Sequence, residues 1–255
     1  MEGMNNMAKI FAANWKLNKS PNQARSFMKE LTEEARGGLP PSQIVIFPSA
    51  FAMETVLECR KSFGNQLFVA VGAQNTYSQD KGAFTGENSA AVVKEMGGEY
   101  VLLGHSERRT LFGETDAALA AKVALVQSLG LIPLLCIGES LEEREKGITE
   151  QILSRQLIKG LEQAKPELPL VIAYEPVWAI GTGKVATEAQ VQETHAFIAR
   201  EIERLGFGRR QILYGGSVKA ENAGALGRID HVDGFLVGGA SLEVKSFLGI
   251  IKACT

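Results

Sequence analysis

Eight times along the chain, a short and mostly apolar run is followed by a longer stretch with helical spacing. That alternation constrains the fold more than any other feature. The runs cover 10–13, 44–47, 67–71, 100–103, 131–137, 170–173, 211–214 and 234–237. Runs that are apolar on both faces suit a parallel sheet covered by helices. Right-handed crossovers and eight units in 255 residues predict a closed (β/α)8 barrel, an α/β fold of one domain. A doubly wound open sheet is the alternative, but it usually carries GxGxxG after its first strand. Here the first run is followed by Asn14-Trp15-Lys16. No linker or composition shift marks a second domain. Residues 7–255 are therefore expected to form the barrel, and 1–6 a loose N-terminal leader.

The first helix shows how such stretches are read. Ser20 suits an N-cap and Pro21 the first helical position, and the helix should stop near Gly37. Ala24, Phe27, Met28, Leu31 and Ala35 recur at three- and four-residue spacing and form its inner face. Later helices are expected at about 90–96, 115–129, 148–161, 187–205 and 219–226, with a last one ending at 253.

Composition narrows the partners. Hydrophobic residues make up 45% and charged residues 22%, as in ordinary globular domains. A formal charge of -2 provides no basic field, so nucleic acid is not an expected partner. No apolar run reaches membrane-spanning length. The three cysteines, Cys59, Cys136 and Cys254, lie far apart without a CxxC. A reducing, cytoplasmic compartment and no disulfide are expected. Cys136 reads as buried filler. Three scattered histidines show no metal-ligand spacing, and neither a metal nor a cofactor is expected.

In such a barrel, polar residues just after the strands share one rim, where active sites lie. Here they are Asn14 and Lys16 after the first run, His105-Ser106-Glu107 after the fourth and Glu175 after the sixth. Gly215-Gly216-Ser217 follows the seventh and Gly238-Gly239 the eighth. The glycine pairs after the last two strands suit a phosphate, held by backbone N–H groups and a short helix. Glu175, Lys16 and His105 make a second group. A carboxylate can remove a proton beside a carbonyl, while a lysine and a neutral imidazole stabilise the oxyanion. Each has a plainer reading: Glu175 as a surface glutamate, Lys16 as a solvated charge, His105 as a helix cap. His195 shares a helical face with Val191, Ile198 and Ile202 and reads as a packed core histidine. His231 reads as a solvated loop residue, and the run Glu142 to Lys146 as a solvated helix face.

The stretch Ala173-Tyr174-Glu175-Pro176-Val177-Trp178-Ala179-Ile180-Gly181-Thr182-Gly183-Lys184 joins these themes. Pro176 restricts Glu175 to extended backbone. An apolar tip and a glycine turn follow. The pattern fits a base beneath a mobile lid, and equally an ordinary strand-to-helix loop.

With these residues in place, the sequence resembles the triosephosphate isomerase family over nearly its whole length. The motifs stand in the family's order: Asn14-Trp15-Lys16, Gly104-His105-Ser106-Glu107-Arg108-Arg109, the stretch from Ala173 to Gly183, Tyr214-Gly215-Gly216-Ser217-Val218 and Gly234-Phe235-Leu236-Val237-Gly238-Gly239. The resemblance implies interconversion of dihydroxyacetone phosphate and D-glyceraldehyde 3-phosphate, in glycolysis and gluconeogenesis. It implies Glu175 as the base, His105 as a neutral electrophile, Lys16 as the cation and Asn14 as its guide. The family is the standard example of an ionised glutamate beside a neutral histidine. Gly181, Ser217, Gly238 and Gly239 would bind the phosphate. The family also implies a homodimer, with the 74–87 loop entering the partner and Thr85 supporting the partner's Asn14. Rival readings are an aldolase with a Schiff base on Lys16, a barrel using a metal as electrophile, and a non-catalytic binder of sugar phosphates.

Overall fold

The computed structural model describes residues 8–62, 69–180 and 185–254. The expectations for the 1–6 leader, for Leu67 and Phe68, and for Gly181 to Lys184 lie outside these residues.

The chain runs β1 (Lys9–Asn14), α1 (Pro21–Glu34), β2 (Ser42–Phe47), α2 (Ala50–Ser62), β3 (Val69–Ala73) and α3 (Ala90–Glu95). It continues β4 (Tyr100–Leu103), α4 (Ser106–Leu111), α5 (Asp116–Ser128), β5 (Ile132–Ile137), α6 (Leu141–Glu145) and α7 (Thr149–Gly160). It ends β6 (Val171–Tyr174), α8 (Glu188–Arg204), β7 (Gln211–Tyr214), α9 (Ala220–Leu226), β8 (Gly234–Val237) and α10 (Val244–Lys252). The strands pair in parallel in sequence order, and β1 also pairs with β8, closing the barrel. Closure excludes the open-sheet alternative.

The two-sided apolar character of the strands has a direct structural counterpart. Alternate residues of a strand point to opposite faces. Ile10 and Ala12 of β1 join Val45, Phe47, Leu102 and Leu236 in a cluster filling the barrel. Phe11 and Ala13 join a larger cluster between strands and helices. Met28 and Leu31 of α1 are fully buried in that outer layer, each stabilising by roughly 1.5–3 kcal/mol. Ser20 caps α1 in a capping box with Gln23, and Pro21 stands at the start. Removing such a cap costs about 1 kcal/mol. The helix ends at Glu34 and continues as a 3-10 turn over Ala35–Gly37. The charged run Glu142 to Lys146 contributes to a short helix of its own, α6, capped by Ser140. Its Lys146 pairs with Glu142 at 2.5 Å, as expected of an exposed i,i+4 pair.

Candidate active site

The C-terminal ends of the strands surround a cavity of about 250 Å3. Asn14, Lys16, His105, Glu175, Ser217, Gly238 and Gly239 all line it. Every expected site residue among those described is thus brought to one place.

Asn14 ends β1 and is buried. Two residues on, Lys16 has φ +52°, a left-handed conformation that costs a residue with a side chain on the order of 1 kcal/mol or more. Its backbone is clamped on both sides. The Asn14 side-chain oxygen accepts the Lys16 N–H at 3.0 Å, and the Gln74 amide donates to the Lys16 carbonyl at 2.8 Å. Lys16 Nζ lies 2.7 Å from Glu107 Oε1. Its stem passes over Gly238, where an added Cβ would lie 3.3 Å from Lys16 Cε.

His105 caps α4, and its Nδ1 accepts the Glu107 N–H at 3.2 Å. A nitrogen that accepts an N–H carries no proton, so the ring's proton sits on Nε2. That nitrogen lies 3.0 Å from Glu175 Oε1. The plain reading of His105 and the chemical one therefore both hold: one nitrogen caps a helix and the other faces a carboxylate. Burial lowers the histidine's pKa, but Glu175 and Glu107 nearby raise it more. The Glu107 N–H and the start of α4 oppose a second proton on Nδ1. Donor facing donor is the stronger constraint, and the geometry fits a neutral imidazole.

Glu175 follows β6 directly. Its N–H donates to the Ile137 carbonyl at 2.8 Å, and Pro176 stiffens the next step. The residue is 2% exposed. Burial opposes its charge. The facing His105, the Ser106 N–H at 2.9 Å and the Cys136 thiol outweigh that, holding the carboxyl below its ordinary pKa. Gly215 makes room, since a Cβ there would lie 3.0 Å from Glu175 Cγ.

Across the cavity, a 3-10 turn over Gly239–Ser241 follows β8. Among the described residues, no backbone carbonyl takes up the N–H groups of Ser217, Gly238 or Gly239. Such groups suit an anion.

Several neighbours of these residues leave no trace in the sequence pattern. Glu107 pairs with Lys16 across 91 positions of chain, and Gln74 reaches Lys16 across 58. Cys136 is buried as expected, and its thiol also favours the ionised form of Glu175. Burial and that carboxylate push the thiol's pKa well up, so it stays protonated. Glu139 is fully buried. One of its oxygens accepts from Tyr174 at 3.1 Å, Trp178 at 3.0 Å and Arg144 at 3.1 Å. This anchors the 3-10 turn Val177–Ala179 beside Glu175. Periodicity gives no hint of such pairs.

The other two histidines behave as read. His195 is fully buried, donates from Nδ1 to the His231 carbonyl at 2.9 Å and packs against Tyr174 and Tyr214. Burial lowers its pKa to about 4. His231 is exposed. A second groove of about 690 Å3 adjoins the site, lined by Asn14, Lys16, Phe51, Glu87 and Phe112 among others. Leu17 and Phe51 stand 97% and 91% exposed beside it. Among the described residues, no helix is long and apolar enough to cross a membrane.

Comparison with known proteins places these features in a family. The family model described as triosephosphate isomerase matches residues 9–254. A triosephosphate isomerase of Bdellovibrio bacteriovorus is 57% identical over 94% of this chain and 98% of its own. One from Carboxydothermus hydrogenoformans is 45% identical over 95% and 97%. One from Chlamydia caviae is 44% identical over 94% and 95%.

Proposed function

The chain belongs to the triosephosphate isomerase family, glycolytic isomerases of triose phosphates, and from that premise we propose how its residues interconvert dihydroxyacetone phosphate and D-glyceraldehyde 3-phosphate. The observation that carries the reading is the pair of Glu175 and His105 Nε2, 3.0 Å apart, beside Lys16 and opposite the glycine-rich rim.

Glu175 takes a proton from C1 of the ketone. The C–H electrons form the C1–C2 double bond, and the carbonyl electrons move onto the C2 oxygen. His105 Nε2–H and the Lys16 ammonium stabilise that oxyanion. His105 then moves a proton between the two oxygens, and Glu175 returns its proton to C2, leaving an aldehyde at C1. Substrate binding replaces Glu175 as the acceptor of the Nε2 proton, which frees the carboxylate to reach carbon. Asn14 acts through Lys16, whose strained backbone it holds. Ser217, Gly238 and Gly239 bind the phosphate through N–H groups, with Gly181 of the lid as a further donor. The reverse direction serves gluconeogenesis.

The working unit of this reading is a homodimer. The 74–87 loop of one subunit fills the second groove of the other, and Thr85 meets the partner's Asn14. The family supports this, as do the exposed Leu17 and Phe51 and a loop braced by Tyr77 against Phe84 at 4.4 Å. A cytoplasmic location fits a glycolytic reaction and the widely spaced cysteines.

The test is a coupled assay on purified protein, in which glyceraldehyde 3-phosphate is isomerised and the ketone product consumes NADH. Turnover is expected. Folded protein without turnover refutes the reading. A borohydride-trapped substrate adduct on Lys16 would replace it with an aldolase.

A further inference from the structure

Arg109 lies one helical turn beyond His105 and makes contacts that the proposed mechanism does not use. Its guanidinium folds back beneath the site. Nε donates to the Gly104 carbonyl at 2.8 Å, Nη2 to the Cys136 carbonyl at 3.0 Å and Nη1 to Asp116 Oδ1 at 2.5 Å. Arg109 and Asp116 are each 17% exposed. A planar guanidinium with all three nitrogens engaged holds fixed directions that an ammonium cannot reproduce.

The two carbonyls it joins are informative. Gly104 is the residue before His105. Cys136 is the residue before Ile137, whose carbonyl accepts the Glu175 N–H at 2.8 Å. The strands β4 and β5 pair through Leu103 and Leu135, and β4 stops there. On β5 the Ile137 carbonyl serves β6, accepting the Glu175 N–H. Carbonyls alternate in direction along a strand, so that of Cys136 faces β4, where the ladder has ended. The guanidinium takes up that carbonyl and ties it to the one beneath His105. Gly104 has φ +70°, and a Cβ there would lie 3.2 Å from both Arg109 Nη2 and the Cys136 carbonyl. The packing around the strut is therefore tight.

We propose that Arg109 is a positioning residue for the reaction, a strut that fixes His105 relative to Glu175 by joining the Gly104 and Cys136 carbonyls. It reaches neither substrate nor the reacting atoms, and Asp116 keeps its fork in plane. The proposal rests on the assignment of Glu175 as base and His105 as electrophile. Its consequence is a selective one. The phosphate site on β7 and β8 is remote from the strut, so substrate binding survives its loss while the chemical step suffers. A misplacement near 1 Å between reacting groups costs on the order of 10²-fold in rate.

The test uses the full-length protein carrying Arg109→Lys, Arg109→Ala or Asp116→Asn. Arg109→Lys should fold, keep KM and the inhibition constant of inorganic phosphate within about threefold, and lose roughly 10- to 100-fold in kcat. Guanidinium at millimolar, non-denaturing concentration should restore part of kcat to Arg109→Ala. Asp116→Asn should show a smaller fall in kcat with KM unchanged, and it decides the matter if the Arg109 variants do not fold. Unchanged kcat in folded Arg109→Lys, or in Asp116→Asn, overturns the strut. So does a loss that follows only the fraction of folded protein. Glu175→Gln is measured alongside. Full activity there refutes the base assignment itself, whereas an inactive Glu175→Gln with an unimpaired Arg109→Lys refutes the strut alone.

Discussion

Glu175 keeps its charge where burial opposes it, because His105 Nε2 and the Ser106 N–H face it and the neighbouring Cys136 thiol favours the ionised form. Its reach matters as much as its charge. Glu175→Asp withdraws the carboxylate by roughly 1 Å and should cost on the order of 10²-fold in rate while the barrel stays folded. Steady-state kinetics at near wild-type level would remove Glu175 as the base. Lys16→Ala should weaken binding of a phosphate-bearing inhibitor as well as turnover, and unchanged affinity by calorimetry would contradict that role. His195 makes a separate prediction about stability. Its folded pKa of about 4 lies below the unfolded value near 6.5, so the unfolded chain takes up the proton first. Its neutral form therefore leaves stability intact above about pH 6.5, and stability falls as pH drops toward 4, by on the order of 3 kcal/mol. Urea unfolding of His195→Gln between pH 7 and 4 should show a shallower decline, and an unaltered slope would refute the assignment. At this scale the convergence of Glu175, His105 and Lys16 on one cavity was legible, because each follows a buried run and so lies on the same rim. Their partners were not, because Glu107 reaches Lys16, and Gln74 the same residue, only through closure of the barrel.

Elements turn those residues into a site. Helix α4 starts just after its cap, His105, and sets that ring; β6 stops at Tyr174, and Glu175 follows it, held extended by Pro176. Beyond it, the turn Val177–Ala179 is fastened through Trp178 to the buried Glu139, on which Tyr174 and Arg144 also converge. A turn held so firmly at its base suits the fixed end of a lid. In the proposed mechanism the enediolate would expel its phosphate if the leaving bond aligned with the π system, and a lid closing over it would exclude water and hold that bond out of line. Shortening residues 177–184 to a tight turn should leave the barrel folded and cut isomerisation steeply. Inorganic phosphate and methylglyoxal should then appear. Loss of activity with no added phosphate per turnover would mean that the segment only aims the base. The elements themselves were largely readable, since strand apolarity, helical spacing and the Ser20 cap announce them. The anchoring at Glu139 was not, because a glutamate in a loop shows no sign of full burial.

At the scale of the whole molecule, eight parallel strands place the end of every strand on one rim. Residues from Asn14 to Gly239 can share a cavity for that reason. Closure was legible because the run-and-helix unit repeats eight times without the glycine motif of an open sheet. Association is a property of the same scale. The exposed Leu17 and Phe51 beside the second groove predict a dimer at micromolar concentration that loses activity as dilution separates it. Sedimentation of an active monomer would contradict this. The most direct test of the account follows the proton itself. Dihydroxyacetone phosphate is incubated with the protein in deuterated water, and both triose phosphates are read by NMR. The account predicts deuterium at C1 of recovered ketone and at C2 of aldehyde, with both signals lost in folded Glu175→Gln. Isomerisation and labelling that persist unimpaired in Glu175→Gln, or a folded wild-type protein that neither isomerises nor labels, would contradict it.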